Sequence, residues 1–397
     1  MLTKAGIFLS FAVLLIFQTD GQTFGGRSPL TQHSLQRSSG FRSHSLVWEK
    51  DFKGLISDFA MSSNGARLVI HVVPDPDRRD SIKKPWIRVL DRNGKSVWKK
   101  QLSTRVKDLA ISADGNQIVA TLYDQKVHFW DAKGRERWKF HSICRPYFLS
   151  PAKKVICVYD DDTHPRTAFD LYSFAGKKVR SEKITRDLLG FAVSEDQTRV
   201  AVSLDGGRVL AFNDLVQNWG TFDWPGEVVS VATTGGSGTA PTLAGVIQKD
   251  GKKKLVIQSI IKKGPPVIRD LGDSANAVHF LNSDSRIAVY GNGRTGQNMD
   301  VYDLIGNLIW NIGLKNSAEY QTPIVADTGS VSLSLDVPLK GIALYEFDSE
   351  GKITSEIPFV PGVGAFFLGT YEDLVFLACD DGRIRTYQKG NLKTSVQ

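Results

Sequence analysis

The sequence is short of the residues that usually betray a reactive site. It has three cysteines, Cys144, Cys157 and Cys379, and three methionines in 397 residues. Its seven histidines, His33, His44, His71, His128, His141, His164 and His279, are widely spaced. No two sit at metal-ligand spacing, and none lies beside a nucleophile in a recognisable motif. There is no Gly-x-Ser-x-Gly elbow and no complete phosphate loop ending in Gly-Lys-Ser/Thr. The Gly-rich stretch Thr233 to Thr239 lacks the lysine and following helix of a phosphate cradle and reads as a hairpin loop.

A dominant charge is also missing. Fifty Lys and Arg against 42 Asp and Glu give a formal +8, and the basic residues are scattered. Runs such as Lys252-Lys253-Lys254 read as solvated hairpin tips, and no basic stripe is interleaved with aromatics. Nucleic acid is therefore excluded as a partner. Acidic clusters are few. Asp75, Asp77 and Asp80 lack the Gly and distal Glu of a calcium loop, and Arg78 and Arg79 stand among them. Asp160-Asp161-Asp162-Thr163-His164 reads as an exposed turn. No metal and no cofactor is expected.

Long apolar runs are absent but for one. Ala5 to Phe17 follows Lys4 and ends before Thr19 and Gly21, the pattern of a secretory signal over 1–21. Thirteen residues make about 20 Å of helix, short of the roughly 30 Å of a bilayer core, so no membrane anchor is expected after cleavage. Residues 22–44, rich in Ser, Gly, Gln and Arg, read as a flexible linker. The chain is thus expected in the periplasm or secreted. Export permits disulfides, but a hairpin register with Ser150 opposite Val155 would offset Cys144 from Cys157 by about 13 Å along the strand. All three cysteines are therefore expected as free thiols.

What the sequence does have is a repeat. Ser57-Asp58-Phe59-Ala60-Met61-Ser62 matches Lys107-Asp108-Leu109-Ala110-Ile111-Ser112, and the turns Asn64-Gly65 and Asp114-Gly115 follow. The stretch Asp-x-x-Gly-x-x-x-Trp occurs at Asp91, Gly94, Trp98, at Asp131, Gly134, Trp138 and at Asp303, Gly306, Trp310; Asp348 and Gly351 begin a fourth. Each unit holds four short β-like segments separated by turn residues, the pattern of a propeller blade. Seven complete units run from residue 54 to 358. Residues 361–390 supply three more strands, and Ser45 to Phe52, with Trp48 in register, supplies the fourth. The expected fold is all-β: one eight-bladed β-propeller over 45–397, about 44 residues per blade, closed by pairing of its terminal strands. The Asp should cap the turn, the Gly take positive φ, and the Trp pack on the neighbouring blade.

This spacing resembles the tryptophan-docking motif of the quinoprotein (PQQ-like) β-propeller repeat, and the Ser-Ala-Asp-Gly and Phe-Trp-Asp elements resemble WD40 blades. The resemblance covers essentially 45–390, with Asn93, Lys133 and Ile305 standing where the docking motif has Thr. In quinoprotein enzymes it would imply a quinone cofactor, Ca²⁺ and often two adjacent cysteines, which this chain lacks. Exported non-enzymatic members, such as the eight-bladed lipoprotein of the outer-membrane β-barrel assembly machinery, are the nearer comparison, though no lipid-attachment Cys is present.

The expected function is an exported non-catalytic platform that binds a protein partner, or a ligand, in the cell envelope. The alternative is a propeller lyase, hydrolase or oxidoreductase whose residues converge at the central channel. Insertions between second and third strands, Pro74 to Pro85, Asp161 to Thr167 and Gly291 to Asn298, all enlarge one rim. That rim is the expected binding face, with Asp77, Arg78, Arg79, Lys84, Asp162, His164, Arg166 and Arg294 as contacts. Trp224 and Tyr320 are the expected apolar anchors.

Overall fold

The computed structural model describes residues 37–389 apart from 160–166, 214–216, 236–239, 263, 274, 282–284, 294–295, 315–323, 326–330, 338–340, 349, 358–364, 372 and 380. Residues 1–36, with the expected signal over 1–21, lie outside the described residues. Strand β1 (Arg37–Asp51) precedes β2 (Leu55–Met61), β3 (Arg67–Val73), β4 (Trp86–Asp91) and β5 (Ser96–Gln101). A second group follows: β6 (Val106–Ile111), β7 (Gln117–Leu122), β8 (Lys126–Asp131) and β9 (Glu136–His141). The third is β10 (Arg145–Leu149), β11 (Lys154–Val158), β12 (Thr167–Ser173) and β13 (Lys178–Lys183). The fourth is β14 (Leu188–Val193), β15 (Val200–Leu204), β16 (Arg208–Phe212) and β17 (Asn218–Asp223). The fifth is β18 (Glu227–Thr233), β19 (Thr242–Lys249), β20 (Lys252–Ser259) and β21 (Val267–Asp270). The sixth is β22 (Ala277–Leu281), β23 (Arg286–Gly293), β24 (Gly296–Asp303) and β25 (Leu308–Leu314). Each group is one antiparallel four-stranded sheet in chain order.

The remaining strands are β26 (Ile324–Val325), β27 (Val331–Val337), β28 (Gly341–Phe347), β29 (Ile353–Ile357), β30 (Ala365–Tyr371), β31 (Leu374–Cys379) and β32 (Arg383–Lys389). They share one sheet with β1, in the order β26-β27-β28-β29-β1-β32-β31-β30. The second half of β1 runs antiparallel to β32, from His44 opposite Lys389 to Asp51 opposite Arg383. Its first half runs parallel to β29, with Arg42 opposite Ser355. Residues 37–44, expected as linker, are therefore strand, because the edge of β29 offers their backbone a ladder that polar composition does not reveal.

The cores lie between sheets, which is why each second strand is apolar on both faces. Val69, Ile87 and Val89 pack on Ile118, Ala120 and Trp130 of the next sheet. Ile156, Phe169 and Leu171 do the same against Val200, Val202 and Phe212. Phe376, Ala378 and Ile384 pack on Leu68, Ile70 and Leu90, so β31 and β32 cover the β2–β5 sheet.

The repeated turn explains how each sheet is located on the next. Asp131 accepts from the amides of Lys133 and Arg135 through Oδ1, at 2.9 and 3.0 Å, closing the turn between third and fourth strands. Gly134 holds φ +75°. A Cβ there would sit 2.7 Å from Cδ2 of Trp98, so the indole of the preceding sheet lies flat on the turn. Trp48 meets Gly94, Trp138 meets Gly176 and Trp310 meets Gly351 in the same way. Two of these indoles also donate to the turn: Trp48 Nε1 to the Arg92 carbonyl at 3.2 Å and Trp138 Nε1 to Phe174 at 3.0 Å. At Gly306 the preceding strand supplies no Trp; Arg269 donates to the carbonyls of Gly306 and Ile305 instead.

One sequence expectation is overturned. The hairpin turn spans Ser150 to Lys153, with Lys153 at φ +52°. Leu149 therefore faces Lys154, and Cys157 faces Pro146 rather than Phe148. This two-residue change of register brings Cys144 and Cys157 into diagonal contact, with Cα atoms 5.1 Å apart, and they form a disulfide. Cys379 is buried and takes no part in the disulfide. Alkylation under denaturing, non-reducing conditions should label one thiol per chain, and prior reduction should raise that to three. Three labels without reduction would contradict the pairing.

Candidate functional site

The first strands adjoin one another around an axis. Strand β6 lies between β2 and β10, β18 lies between β14 and β22, and β30 touches both β2 and β26. Tyr147 of β10 and Phe191 of β14 have ring centroids 5.1 Å apart. Two rims follow from the antiparallel connections. One carries the loops between first and second strands, and the other carries the long loop Pro74 to Pro85 with the loops joining successive sheets.

The first rim is tied together. The turns Ser62-Ser63-Asn64-Gly65, Ser112-Ala113-Asp114-Gly115 and Ser194-Glu195-Asp196-Gln197 are equivalent, but the third has Gln where the others have Gly. Gln197 keeps the left-handed φ of +59°, which costs a non-glycine residue roughly 1–2 kcal/mol. Its side chain accepts from the Ala113 amide at 3.1 Å and donates to the Ile111 carbonyl at 3.1 Å. Ser150 of the third sheet donates to the same amide oxygen. Ser63 reaches the Glu195 carbonyl at 3.1 Å. These bonds hold the turns of the first four sheets together on this rim, and the local strain is offset by the bonds it permits.

The opposite mouth is lined by both charges and by apolar groups. In β2, β6, β14 and β18 the register slips at one equivalent place, leaving Ser57, Lys107, Leu189 and Val229 as bulged residues. A bulge re-aims side chains at a sheet's inner edge, and Leu189 and Val229 are exposed there. Beside them stand Asp58, Asp108 and Arg145, whose Nε donates to Asp108 at 3.1 Å. Burial pushes the Asp58 carboxyl up to about 7; the Phe59 amide opposes the rise and the charge of Asp108 adds to it. His71, opposite Asp58 on β3, is buried and held neutral, its pKa lowered by burial to about 3. Its Nε2 accepts from the Val106 amide at 3.3 Å and its Nδ1 meets Ser57 Oγ at 2.6 Å. It joins two sheets and is not a free base.

The residues expected to bind are only partly brought together. Asp77, Arg79 and Lys84 are exposed on the Pro74 to Pro85 loop. Arg78 is half-buried and pairs with Asp51 through both terminal nitrogens, at 2.9 and 2.6 Å, and with Asp80 at 2.6 Å. It ties the loop to β1 and draws the Asp80 carboxyl down to about 2. Asp162, His164, Arg166, Arg294 and Tyr320 lie outside the described residues. Trp224 is not the exposed anchor expected of it. It is 4% exposed and packs with Val209, Val228 and Val256 in the core between the fourth and fifth sheets, because Gly245 leaves its ring room to enter. The sequence reading missed Asp58, Asp108 and Gln197. The first two were visible as a carboxylate repeated in otherwise apolar strands, and the third as a Gln in place of a turn glycine.

Among the described residues no group of three or more His, Cys, Asp or Glu could hold a metal ion. The raised pKa of Asp58 has a consequence for pH. Its folded pKa is raised, so its contribution to stability is complete below about pH 4, where the unfolded carboxyl titrates. That contribution is lost as pH rises through about 7. Asp58→Asn should raise the melting temperature at about pH 8 and leave it nearly unchanged at about pH 3.5. An equal shift at both would contradict the raised carboxyl pKa.

No protein-family model and no curated protein matches this sequence. Solved structures do match. BamB from Moraxella catarrhalis aligns over 87% of this chain and 97% of its own, at 16% identity and a TM-score of 0.58. Sqt1 from Chaetomium thermophilum, bound to the N-terminus of the ribosomal protein L10, aligns over 86% and 99%, at 12% identity and a TM-score of 0.62. The C-terminal WD40 domain of Sif2 aligns over 88% and 99%, at 12% identity and 0.61. At these identities the likeness is one of fold, and the fold of this chain is the WD40-like β-propeller.

Proposed function

We propose that the chain is an exported, non-catalytic eight-bladed propeller that captures a protein partner in the cell envelope, in the periplasm or beyond it. Six four-stranded sheets support this count, with the eight-stranded sheet read as two further blades, β26–β29 and β30–β32 with β1. In this reading the second half of β1 closes the ring. The apolar run Ala5 to Phe17 supports export, and the Cys144–Cys157 disulfide fits an oxidising compartment.

The observation that carries the binding role is the asymmetry of the two ends of the channel. At one end Gln197 ties the turns of the second and fourth sheets together, and the other carries mixed charge and apolar groups beside the long Pro74 to Pro85 loop. Such a lining suits recognition of a protein segment better than general acid–base chemistry, which needs a free acid and base facing one reacting atom. Here Asp108 is bonded to Arg145 and His71 is engaged between sheets. The structure of Sqt1 holding the N-terminus of another protein supports a chain segment as the form the partner takes.

Two experiments test the two parts. Deleting residues 45–52 should expose the edge of β32 and cause aggregation or a large loss of thermal stability; a truncated chain as stable as the original would refute ring closure by β1. Arg79→Glu with Lys84→Glu should reduce recovery of the cross-linked partner from native envelopes about tenfold or more, with the melting temperature unchanged. Undiminished recovery, or loss only when Lys133 on the opposite rim is reversed, would refute the assigned face.

A further inference from the structure

The basic residues that are scattered along the sequence come together on one wall of the structure. In each of the first three sheets the turn from third to fourth strand is closed by an amide donating to the carbonyl four residues on: Asp91 to Lys95, Asp131 to Arg135 and Ser173 to Lys177. These bonds align the segments 91–101, 131–141 and 173–183. Together the three hold twelve Lys and Arg against four Asp and Glu, a balance of +8 that equals the formal charge of the whole chain. The rest of the chain is therefore neutral in sum. Asn213 to Gln217 and Asp303 to Asn307 make the same turn bond in the fourth and sixth sheets, yet 213–223 and 303–313 contain no Lys or Arg.

The fold makes the three segments neighbours. β5, β9 and β13 stand last in their sheets, farthest from the first strands that meet around the axis. The first sheet packs on the second and the second on the third, so the cations share one outer wall. The acids among them are already engaged. Asp91 and Asp131 accept from the amides of their own turns, Glu136 pairs with His128 at 2.7 Å and Lys139 at 3.6 Å, and Glu182 pairs with Arg180 at 2.6 Å. Arg92, Lys95, Lys99, Lys133 and Lys177 are exposed and enter none of the ion pairs among the described residues.

We infer that this wall docks the protein on an anionic phospholipid surface. Like charges gathered on one face repel one another, and a surface of opposite sign relieves that repulsion. Each Lys or Arg brought near an anionic leaflet adds to the attraction. Two details select a bilayer among anions. Val97 and Val179 stand exposed among the cations, at 39% and 52%, and with the aliphatic stems of the lysines they present the apolar groups beneath charge that a headgroup layer accepts. No Trp, Tyr or Phe of the three segments is exposed, so a nucleic acid finds no platform on which its bases could stack. Docking by this wall uses none of the residues assigned to partner capture, and it stands or fails independently of that role.

Co-sedimentation of the full chain with vesicles tests this. Vesicles of phosphatidylglycerol mixed equally with phosphatidylcholine should carry the protein down at about 0.1 M salt and release it at about 0.5 M, and vesicles of phosphatidylcholine alone should carry far less. Lys95→Glu, Arg137→Glu and Lys177→Glu together, one exposed cation from each sheet, should weaken binding to the anionic vesicles about tenfold or more, with the melting temperature nearly unchanged. Lys249→Glu, Lys252→Glu and Lys262→Glu, three exposed lysines of the fifth sheet, change the net charge equally and should leave binding within about twofold of the original. All these chains keep the N-terminal apolar run, so any binding it contributes is common to them. Equal binding to neutral vesicles would overturn the inference, as would equal losses from the two triple variants or undiminished binding by the first. Capture of a single-stranded oligonucleotide without binding to the anionic vesicles would give the wall to nucleic acid and overturn it too.

Discussion

Everything in this molecule depends on how one four-stranded sheet is located on the next. A four-stranded sheet with both faces apolar cannot stand alone in water; it must be covered on both sides, and only a succession of like sheets does that without end. Nonspecific apolar packing would allow the sheets to slide. The docking of an indole on the next sheet's turn, as Trp98 on Gly134 and Trp138 on Gly176, fixes the angle and the offset. The glycine is needed twice over, for its left-handed φ and because any Cβ would occupy the place of the ring. Where the tryptophan is missing, Arg269 donates to other carbonyls of the same turn, so what persists is the contact with the turn rather than the residue type.

That constraint was legible in the sequence because it is local. Asp, Gly and Trp at fixed spacing encode a turn and its cover, and the alternation around them encodes strands, so the four-stranded units could be counted by eye. The hairpin register at Cys144 and Cys157 was not legible in the same way. It depended on whether Ser150 began the turn or ended the strand, a choice made by the left-handed Lys153 and by burial of both cysteines against Phe129 and Phe148. Likewise, nothing in the polar residues 37–43 announces a strand; they become one only because β29 presents an edge at the right distance.

The candidate site was legible only as a direction. Insertions between second and third strands pointed to one rim, and the exposed Asp77, Arg79 and Lys84 stand there. Their neighbour Arg78 is engaged with Asp51 and Asp80, and Trp224 is core. A charged or aromatic residue in a loop is readable from sequence, whereas the partner that absorbs it is not. The channel features were hidden for the opposite reason. Asp58 and Asp108 lie in strands whose matching was attributed to the repeat alone, and Gln197 acts on residues more than eighty positions away. Its left-handed turn stands where its two counterparts have glycine, and its side chain ties the fourth sheet to the second.

The central claim is that the partner is met at the mouth opposite Gln197. Site-specific photo-cross-linking in native cells tests it most directly, with the photoreactive group placed in turn at Arg79, Lys84 and Leu189 on one rim and at Lys133 and Asn64 on the other. The account predicts covalent adducts with one protein from the first three positions and none from the last two. Adducts arising only from Lys133 or Asn64 would place the working face on the rim of Gln197 and contradict it.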